Sequence, residues 1–162
     1  MLKISDLKRN YPTPGNVEWL GVRPGRNQKV RSLASVQAIE NYGLKDDRSA
    51  SKPGGKRQVT LFQAEYLPVL HALHAQTKIS YEKLRRNIAV SGINLNSLLS
   101  QKITIGQSIL EITGFCHPCS KMEKEFGPGA YNALRGHGGL TAVVIQGGEI
   151  RLDDKVEVLA TD

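Results

Sequence analysis

Short runs rich in apolar and β-branched residues alternate with glycine turns along most of the chain. Such runs are typical of β-strands. They predict strands at residues 17–22, 28–31, 35–39, 57–62, 88–90, 102–105, 108–113, 140–146, 149–152 and 155–159. Gly106-Gln107 and Gly147-Gly148 are two-residue turns between such runs, so each of them predicts a hairpin.

Two helical segments interrupt the strands near the middle of the chain. Apolar residues recur at a spacing of three between residues 63 and 74, which predicts a helix with one buried stripe of Ala64, Leu67, Leu70 and Leu73. Pro68 fits this helix only near its first turn. Ser80 predicts the cap of a second short helix that runs through Leu84. Because long helices do not alternate with strands, we expect a mostly β, barrel-like domain with short helices rather than a parallel βαβ architecture.

Length and composition limit the class of protein. The 162 residues, of which 40% are hydrophobic, predict a single domain over residues 1–162, since no linker divides them. No apolar run approaches the roughly 18 residues that span a bilayer, and residues 1–10 are too polar for a secretory signal. We therefore expect a cytoplasmic protein without a membrane partner. Its two cysteines, Cys116 and Cys119, are too few for a disulfide framework and point instead to chemistry or metal binding.

The net charge of +7 and the pI of about 9.5 favour a polyanionic ligand, either a nucleic acid or a phosphorylated small molecule. Basic residues concentrate at 52–57 and 83–86, next to predicted strands. Nucleic-acid platforms usually interleave aromatic and basic residues. Only 6% of this chain is aromatic, and no ring adjoins Lys56-Arg57 or Arg85-Arg86. Nucleic acid is thus disfavoured as a partner, although an RNA-binding barrel remains the alternative from a different functional class.

The segment Gly114-Phe115-Cys116-His117-Pro118-Cys119-Ser120-Lys121-Met122-Glu123 carries the clearest chemical signal. It follows a predicted strand and precedes a short predicted helix, so Cys119 lies where free backbone N–H groups favour a thiolate. His117 and Lys121 add positive charge. Three other interpretations stay open: two small core residues, a thiol–disulfide couple, or half of a zinc site. The zinc site lacks a second ligand pair, because His71 and His74 lie on the predicted helix without further partners.

Several blocks of sequence occur in a specific order around this segment. They are Lys56-Arg57-Gln58-Val59-Thr60-Leu61, Leu84-Arg85-Arg86-Asn87-Ile88-Ala89-Val90, Glu125-Phe126-Gly127-Pro128-Gly129-Ala130-Tyr131-Asn132, Leu134-Arg135-Gly136-His137-Gly138-Gly139-Leu140-Thr141 and Gly148-Glu149-Ile150-Arg151-Leu152-Asp153-Asp154. Together with the cysteine segment, these blocks resemble the MOSC family, named for the C-terminal domain of molybdenum cofactor sulfurase. The resemblance runs from about Val17 to Val158 and is strongest to small bacterial members that consist of this domain alone.

The resemblance implies a mostly β MOSC-type barrel with several short helices packed around it, and a molybdenum–pterin cofactor held through a dithiolene. The key cysteine of the family falls on Cys119, which would be a molybdenum ligand or would carry a persulfide sulfur. Cys116 would resolve an oxidised Cys119 or simply fill space. At family level the resemblance also implies an association with pyridoxal phosphate.

Basic residues are the implied ligands of the cofactor phosphate, because arginine binds phosphate bidentately. Arg85 and Asn87 match the Arg-x-Asn block of the family and are the first candidates. Arg57 and Arg48 follow them. Arg86 ranks lower, because its side chain would point away from that of Arg85 on an extended chain.

The loop Gly136-His137-Gly138-Gly139 is rich in backbone donors and can bring N–H groups close to an anion. Gly138 is therefore a candidate cofactor-binding residue. His137 would contact the cofactor or donate a proton near the metal, or is a turn residue with no role. The chain departs from the family where many relatives have Gly-Asp-Arg-His, because Asp46 and Ser49 replace the glycine and the histidine.

Two activities follow from the resemblance: reduction of N-hydroxylated small molecules, which we favour, and transfer of sulfur to molybdenum enzymes. The chain has no flavin signature, and two cysteines cannot supply the four that a plant-type iron–sulfur cluster takes. We therefore expect electrons to come from a separate reductase protein.

Overall fold

Seven strands close into a barrel in the computed structural model of the chain, which describes residues 1–75 and 78–160. The strands are β1 (Gly15–Val22), β2 (Arg31–Leu33), β3 (Ser35–Ile39), β4 (Gly43–Leu44), β5 (Val59–Gln63), β6 (Ile88–Ser91), β7 (Lys102–Ile105), β8 (Ser108–Phe115), β9 (Leu140–Gln146), β10 (Gly148–Arg151) and β11 (Lys155–Val158). The helices are α1 (Ile4–Leu7), α2 (Tyr66–Leu73), α3 (Tyr81–Leu84), α4 (Ser120–Phe126) and α5 (Ala130–Leu134), with 3₁₀ turns at Arg48–Ser51 and Leu95–Leu98. The predicted fold class is confirmed.

The barrel order is β11-β7-β8-β9-β5-β6-β1, and antiparallel pairing between β1 and β11 closes it. Strand β2 extends the sheet beyond β1, and β10, β3 and β4 form a separate small sheet. The barrel encloses an apolar core, because every second residue of its strands points inward. Fully buried members of this core include Val17, Leu20, Leu61, Ile88, Ile103, Leu110 and Leu140. Burying each such side chain contributes roughly 1.5–3 kcal/mol.

A second apolar cluster fastens the helices to the outside of the barrel. It consists of Phe62, Leu70, Ile79, Leu84, Met122, Phe126, Ala130 and Leu134. Because these residues come from α2 to α5 and from β5, the cluster packs the end of α3 against α4. This packing brings the residues that follow α3 close to the residue that precedes α4.

Two strand predictions are wrong. The strand expected at 28–31 lies instead at Arg31–Leu33, and β10 leaves the barrel to pair with β3 rather than forming a hairpin with β9. Gly147 and Gly148 lack the positive φ that a tight hairpin turn needs. They serve close backbone approach instead, since a Cβ on Gly147 would lie 2.8 Å from the Ala38 oxygen. Gly106, with φ of 55°, does form the predicted β7–β8 hairpin.

The helical predictions hold with two corrections. Helix α2 starts late enough to place Pro68 in its first turn, as the sequence requires. Of the predicted buried stripe, Leu70 is fully buried and Leu67 partly buried, whereas Ala64 precedes the helix and Leu73 is 58% exposed. Ser80 precedes α3 without making a side-chain cap. Since α2 and α3 connect β5 to β6, these two strands are parallel, whereas the other strand pairs in the described ranges are antiparallel. No helix in those ranges combines the length and apolar character needed to cross a membrane.

Candidate functional site

A cleft lined with basic side chains opens beside Cys119. It has two adjoining compartments, and the same five arginines line both: Arg23, Arg48, Arg57, Arg85 and Arg86. The thiol compartment, of about 310 Å³, adds Cys119, Lys121 and Met122. The lysine compartment, of about 480 Å³, adds Lys52 and Lys56 together with Asp47, Ser49 and the Gly54-Gly55 turn. Both volumes are within the range of small-molecule and cofactor sites, roughly 300–1,000 Å³.

The barrel topology assembles these arginines from distant parts of the sequence. Arg23 directly follows β1, Arg57 shortly precedes β5, and Arg85 and Arg86 precede β6. Strand β6 pairs with both β1 and β5, in registers that place Ile88 opposite Leu20 and Leu61. The basic segments that flank these strands therefore meet on one rim, which unites the 52–57 and 83–86 clusters seen in the sequence.

Arg86 is the most buried of the five, with only 6% of its surface exposed. Its Nε donates to the Gly138 oxygen and its Nη1 to the Leu84 oxygen, each at 2.8 Å. Burial is the main cause that lowers the pKa of Arg86; the charges of Arg57 and Arg85 act in the same direction, whereas Cys116 and Cys119 oppose it. Arg86 is thus a fixed cation within electrostatic range of both cysteines.

The reason given for the low rank of Arg86 does not hold, and the backbone explains why. Arg85 ends α3 in the left-handed conformation, with φ of 60° and ψ of 36°. Residues in that conformation break the alternation of an extended chain, so consecutive side chains need not point in opposite directions. Arg85 and Arg86 consequently both line the cleft.

Among the described residues that line the cleft, Asp47 is the one acidic side chain, and backbone N–H groups and neutral side chains donate to it. Asp47 Oδ1 accepts from the backbone N–H of Arg23 at 2.8 Å and from Asn87 Nδ2 at 3.3 Å. Its Oδ2 accepts from the N–H and the hydroxyl of Ser49. Within residues 1–75 and 78–160, none of the cleft arginines forms an ion pair. The pKa of Arg23 is lowered by burial and by the charges of Arg85 and Arg48, with Asp47 opposing them. This surplus of positive charge is suited to an anionic ligand.

Asn87, predicted to bind the cofactor, lines the lysine compartment but uses its amide within the fold. Its Oδ1 accepts from the N–H of Thr60 at 2.9 Å and from the Thr60 hydroxyl at 3.1 Å, and its Nδ2 donates to the Gly21 oxygen at 3.1 Å. Asn87 therefore joins β1, β5 and Asp47 behind the arginines. Its geometry is that of a positioning residue.

Cys119 and Cys116 have opposite environments. Cys119 is exposed, lines the thiol compartment and immediately precedes α4, as predicted. Cys116 is 1% exposed, and its N–H donates to the Gly139 oxygen at 2.8 Å. Both are free thiols. The burial of Cys116 fits the space-filling role that the sequence left open for it.

Protein side chains alone offer little for a metal in this cleft. No group of three or more His, Cys, Asp or Glu residues in the described parts of the chain is placed to hold a metal ion. Cys119 supplies a single soft ligand, so a metal bound there would have to bring most of its other ligands with it.

His137 and Gly138 do not line the cleft. The His137 ring packs edge-on against Tyr66, with centroids 4.7 Å apart, and its buried Nδ1 has no hydrogen-bond partner in the described residues. Gly138 is buried, and a Cβ there would lie 1.9 Å from the Cys116 oxygen. Its carbonyl oxygen holds Arg86. Gly138 thus acts on the cleft through Arg86, and the roles predicted for His137 stay predictions.

The two departures from the family pattern also have structural explanations. Asp46 adopts φ of 67°, the left-handed conformation that a glycine favours, and it is exposed outside the cleft lining. Ser49 donates its hydroxyl to Asp47 and to the Gln58 oxygen, the latter at 2.8 Å. Ser49 therefore holds the turn that carries Arg48.

Arg23 is not among the site residues predicted from the sequence. It becomes part of the cleft because β1 pairs with β6, and the paired residues are 68 or more positions apart. Lys121 was noted only as a charge near Cys119, and the structure adds it to the thiol compartment.

Comparison with known proteins agrees with this description. A family model described as "MOSC domain" matches residues 45–157. Comparison with curated protein sequences finds no match. Among solved structures, the YuaD protein from Bacillus subtilis is similar with a TM-score of 0.78 at 18% identity, covering 93% of this chain and 98% of that one. YiiM from Escherichia coli gives 0.71 at 15% identity, with 93% and 72% covered, and YiiM from Geobacillus stearothermophilus gives 0.72 at 14%, with 91% and 76% covered. At these identities the structural likeness shows the fold.

Proposed function

Because the chain belongs to the MOSC domain family, which is associated with the molybdenum cofactor, we propose that its cleft binds a molybdenum–pterin cofactor. Cys119 is the proposed thiolate ligand of the metal, and the cleft arginines bind the phosphate of the pterin. The observation that carries the proposal is Arg86: a buried cation with no carboxylate partner among the described residues, in a cleft that it shares with an exposed thiol.

The residues present fit such a group. An unpaired buried charge is costly, so an anion that pairs with Arg86 would remove a penalty already present in the fold. Arginine can bind a phosphate through two parallel N–H bonds, and the five arginines offer several such forks. A thiolate is a soft ligand that suits a transition metal. The lack of a complete protein ligand set in the described residues also suits a metal that brings dithiolene sulfurs with it.

The favoured activity is reduction of N-hydroxylated small molecules. When bound, the cofactor would supply the redox chemistry. The chain's own residues would bind and orient it: Arg86 as a rigid cation held by Leu84 and Gly138, and Cys119 as the ligand at the mouth of the cleft. The proposed electron donor is a separate reductase protein. Pyridoxal phosphate remains a family-level prediction for which the cleft offers no separate support.

The exposure of Cys119 favours a second candidate, carriage of a persulfide sulfur to a molybdenum enzyme. An exposed thiol is accessible to another protein, which such a transfer requires. Both candidates need the same side chain, but they differ in what it holds.

Elemental analysis of the protein purified from a host that makes the cofactor tests the proposal. We expect near-stoichiometric molybdenum and an oxidised pterin signal in the wild type and in Cys116→Ser, and at least a roughly tenfold lower molybdenum content in Cys119→Ala. Cyanolysis of the same samples detects sulfur bound to Cys119. Sulfur without molybdenum would favour the carrier, whereas neither signal, together with salt-sensitive RNA binding, would refute the cofactor site.

A further inference from the structure

The net charge of the protein is concentrated in the cleft. Among the described residues, eight basic side chains and one acidic side chain line its two compartments. This local surplus of seven positive charges equals the formal net charge of the chain, +7. A phosphate monoester carries at most about two negative charges. One pterin phosphate therefore leaves most of this charge unmatched.

The compartments also place the basic groups in a definite order. Cys119 and Lys121 line only the thiol compartment, Lys52 and Lys56 line only the lysine compartment, and the five arginines line both. The arginines consequently lie between the thiol and the two lysines. If the metal of a ligand binds Cys119 and its first phosphate binds the arginines, the lysine compartment beyond the arginines stays unfilled.

We propose that the lysine compartment is a second phosphate subsite, so that the cleft binds two phosphate groups at once. This inference rests on the proposed cofactor site for the position of the first phosphate. The second phosphate belongs to a nucleotide, carried either by a nucleotide-extended form of the cofactor or by a substrate with a 5′-phosphate.

The loop that carries the two lysines is held in place by the fold. Buried Gln58 donates to the Asn41 oxygen at 3.1 Å and accepts from the N–H of Val144 at 3.0 Å. The N–H of Gly54 donates to the same Asn41 oxygen at 2.9 Å, and the Thr113 hydroxyl donates to the Lys56 oxygen. These hydrogen bonds fix the backbone that carries Lys52 and Lys56. Because the loop is already ordered, less conformational entropy is lost when a ligand binds.

The ammonium groups of the two lysines make no polar contact within the described residues. Neither Lys52 nor Lys56 has an ion pair or a side-chain hydrogen bond within the described residues. A Cβ on Gly54 or Gly55 would meet no atom within 4 Å, so open space adjoins the turn between them. A phosphate can approach the backbone closely at such a turn.

Isothermal titration of the full chain, produced without the cofactor, tests the subsite with two probes, inorganic phosphate and inorganic pyrophosphate. We expect pyrophosphate to bind at least about tenfold more tightly than phosphate. The double variant K52A/K56A should lose about tenfold in pyrophosphate affinity and change phosphate affinity by less than about threefold. K102A/K155A is the matched control, because it removes the same charge from two exposed strand residues outside the cleft lining and should leave both affinities nearly unchanged.

Equal affinities for the two probes, or equal losses in the two double variants, would overturn the inference. The source of the second phosphate follows from protein loaded in a cofactor-producing host. A released pterin that carries a nucleotide assigns it to the cofactor. A pterin monophosphate, combined with adenosine 5′-monophosphate binding that K52A/K56A weakens, assigns the second phosphate to the substrate. If neither outcome is observed, the inference is likewise overturned. The molybdenum content of the same samples reports the proposed function independently.

Discussion

Arg86 in the cleft and Arg151 on the rest of the surface have opposite surroundings. Arg86 is buried, its hydrogen bonds within the described residues go to carbonyl oxygens, and its pKa is lowered by that burial. Arg151 is exposed and bonded to Glu149 at 2.9 Å, and this contact raises the pKa of Arg151 and lowers that of Glu149. Exposed pairs of this kind contribute little to folding, whereas an unpaired buried charge opposes it. The difference indicates that the charge of Arg86 is retained for a ligand rather than for the fold.

Two carboxylates, one in the cleft lining and one close in sequence to Lys121, support the same conclusion. Asp47 accepts from the backbone N–H groups of Arg23 and Ser49, and Glu123, two residues after Lys121, accepts from those of Gly129 and Tyr131. Both carboxylates therefore stabilise loops and helix connections. Neither neutralises an arginine of the cleft, which leaves those charges available.

Replacing Arg86 by methionine should produce the largest effect on the cleft. We expect Arg86→Met to lose about 100-fold or more in pyrophosphate affinity and most of its molybdenum, because Arg86 is the most buried and most firmly held of the five cleft arginines. Arg151→Met, the matched change on the rest of the surface, should affect neither. Titration and elemental analysis measure both quantities. Equal losses of pyrophosphate affinity and molybdenum in the two variants would show that Arg86 has no special role in ligand binding.

A purely structural role for Arg86 gives a different pattern. Methionine removes the cost of burying a charge but leaves the Gly138 and Leu84 oxygens without their donor. Denaturant unfolding of Arg86→Met therefore serves as the control. A large loss of stability with normal ligand affinity in the surviving folded protein would contradict a ligand-binding role.

Gly138→Ala should have the next largest effect. Gly138 does not line the cleft and affects it through Arg86. The new Cβ would lie 1.9 Å from the oxygen of Cys116, a backbone atom of the residue directly after β8 that can move only with the main chain. We expect a loss of about 2 kcal/mol or more in the free energy of unfolding. Because Gly138 also supplies the acceptor of Arg86 Nε, ligand affinity should fall as well. Gly136→Ala is the comparison: its Cβ meets no atom within 4 Å, so the variant carries the strain of a φ of 80° without the clash. A similar loss of ligand affinity there would argue against this coupling.

Much of the fold follows from local sequence pattern. The barrel strands and the β7–β8 turn could be predicted because alternation and glycine placement are local properties. The β9–β10 hairpin could not, because the glycines there serve a contact with Ala38 and Gln107, far away in sequence. Leu73 was misplaced because spacing alone does not tell which side of a helix end is covered by another element.

The site shows the same division between local and distant information. Cys119 was predicted from its own neighbours, and three of the cleft arginines, Arg48, Arg57 and Arg85, from the family blocks. Arg23 and Arg86 were missed or ranked low, because the first depends on the pairing of β1 with β6 and the second on the left-handed backbone of Arg85. Those features arise only when the chain is folded.

Glu123→Gln should have a smaller effect, one that depends on pH. The backbone N–H groups of Tyr131 and Gly129 lower the pKa of Glu123 below its ordinary value. The stabilisation is therefore present above the unfolded pKa, about 4.3, and is lost as the pH falls through the lower folded value. Thermal unfolding should show a lower Tm for Glu123→Gln at pH 7 than for wild type, by less than for Gly138→Ala. A difference that grows rather than shrinks between pH 5 and pH 3 would refute this assignment.

Asp46→Gly should have the smallest effect, and it compares two neighbouring carboxylates. Asp46 has the left-handed φ of 67° and lies outside the cleft lining, whereas Asp47 lines it. Glycine removes the strain at Asp46 but adds freedom to the unfolded chain, so the change in stability should stay within about 1 kcal/mol. Phosphate affinity should also remain unchanged. A clear gain in phosphate affinity would show that the Asp46 carboxylate repels anions at the cleft, and Asp46 would then belong to the cleft together with Asp47.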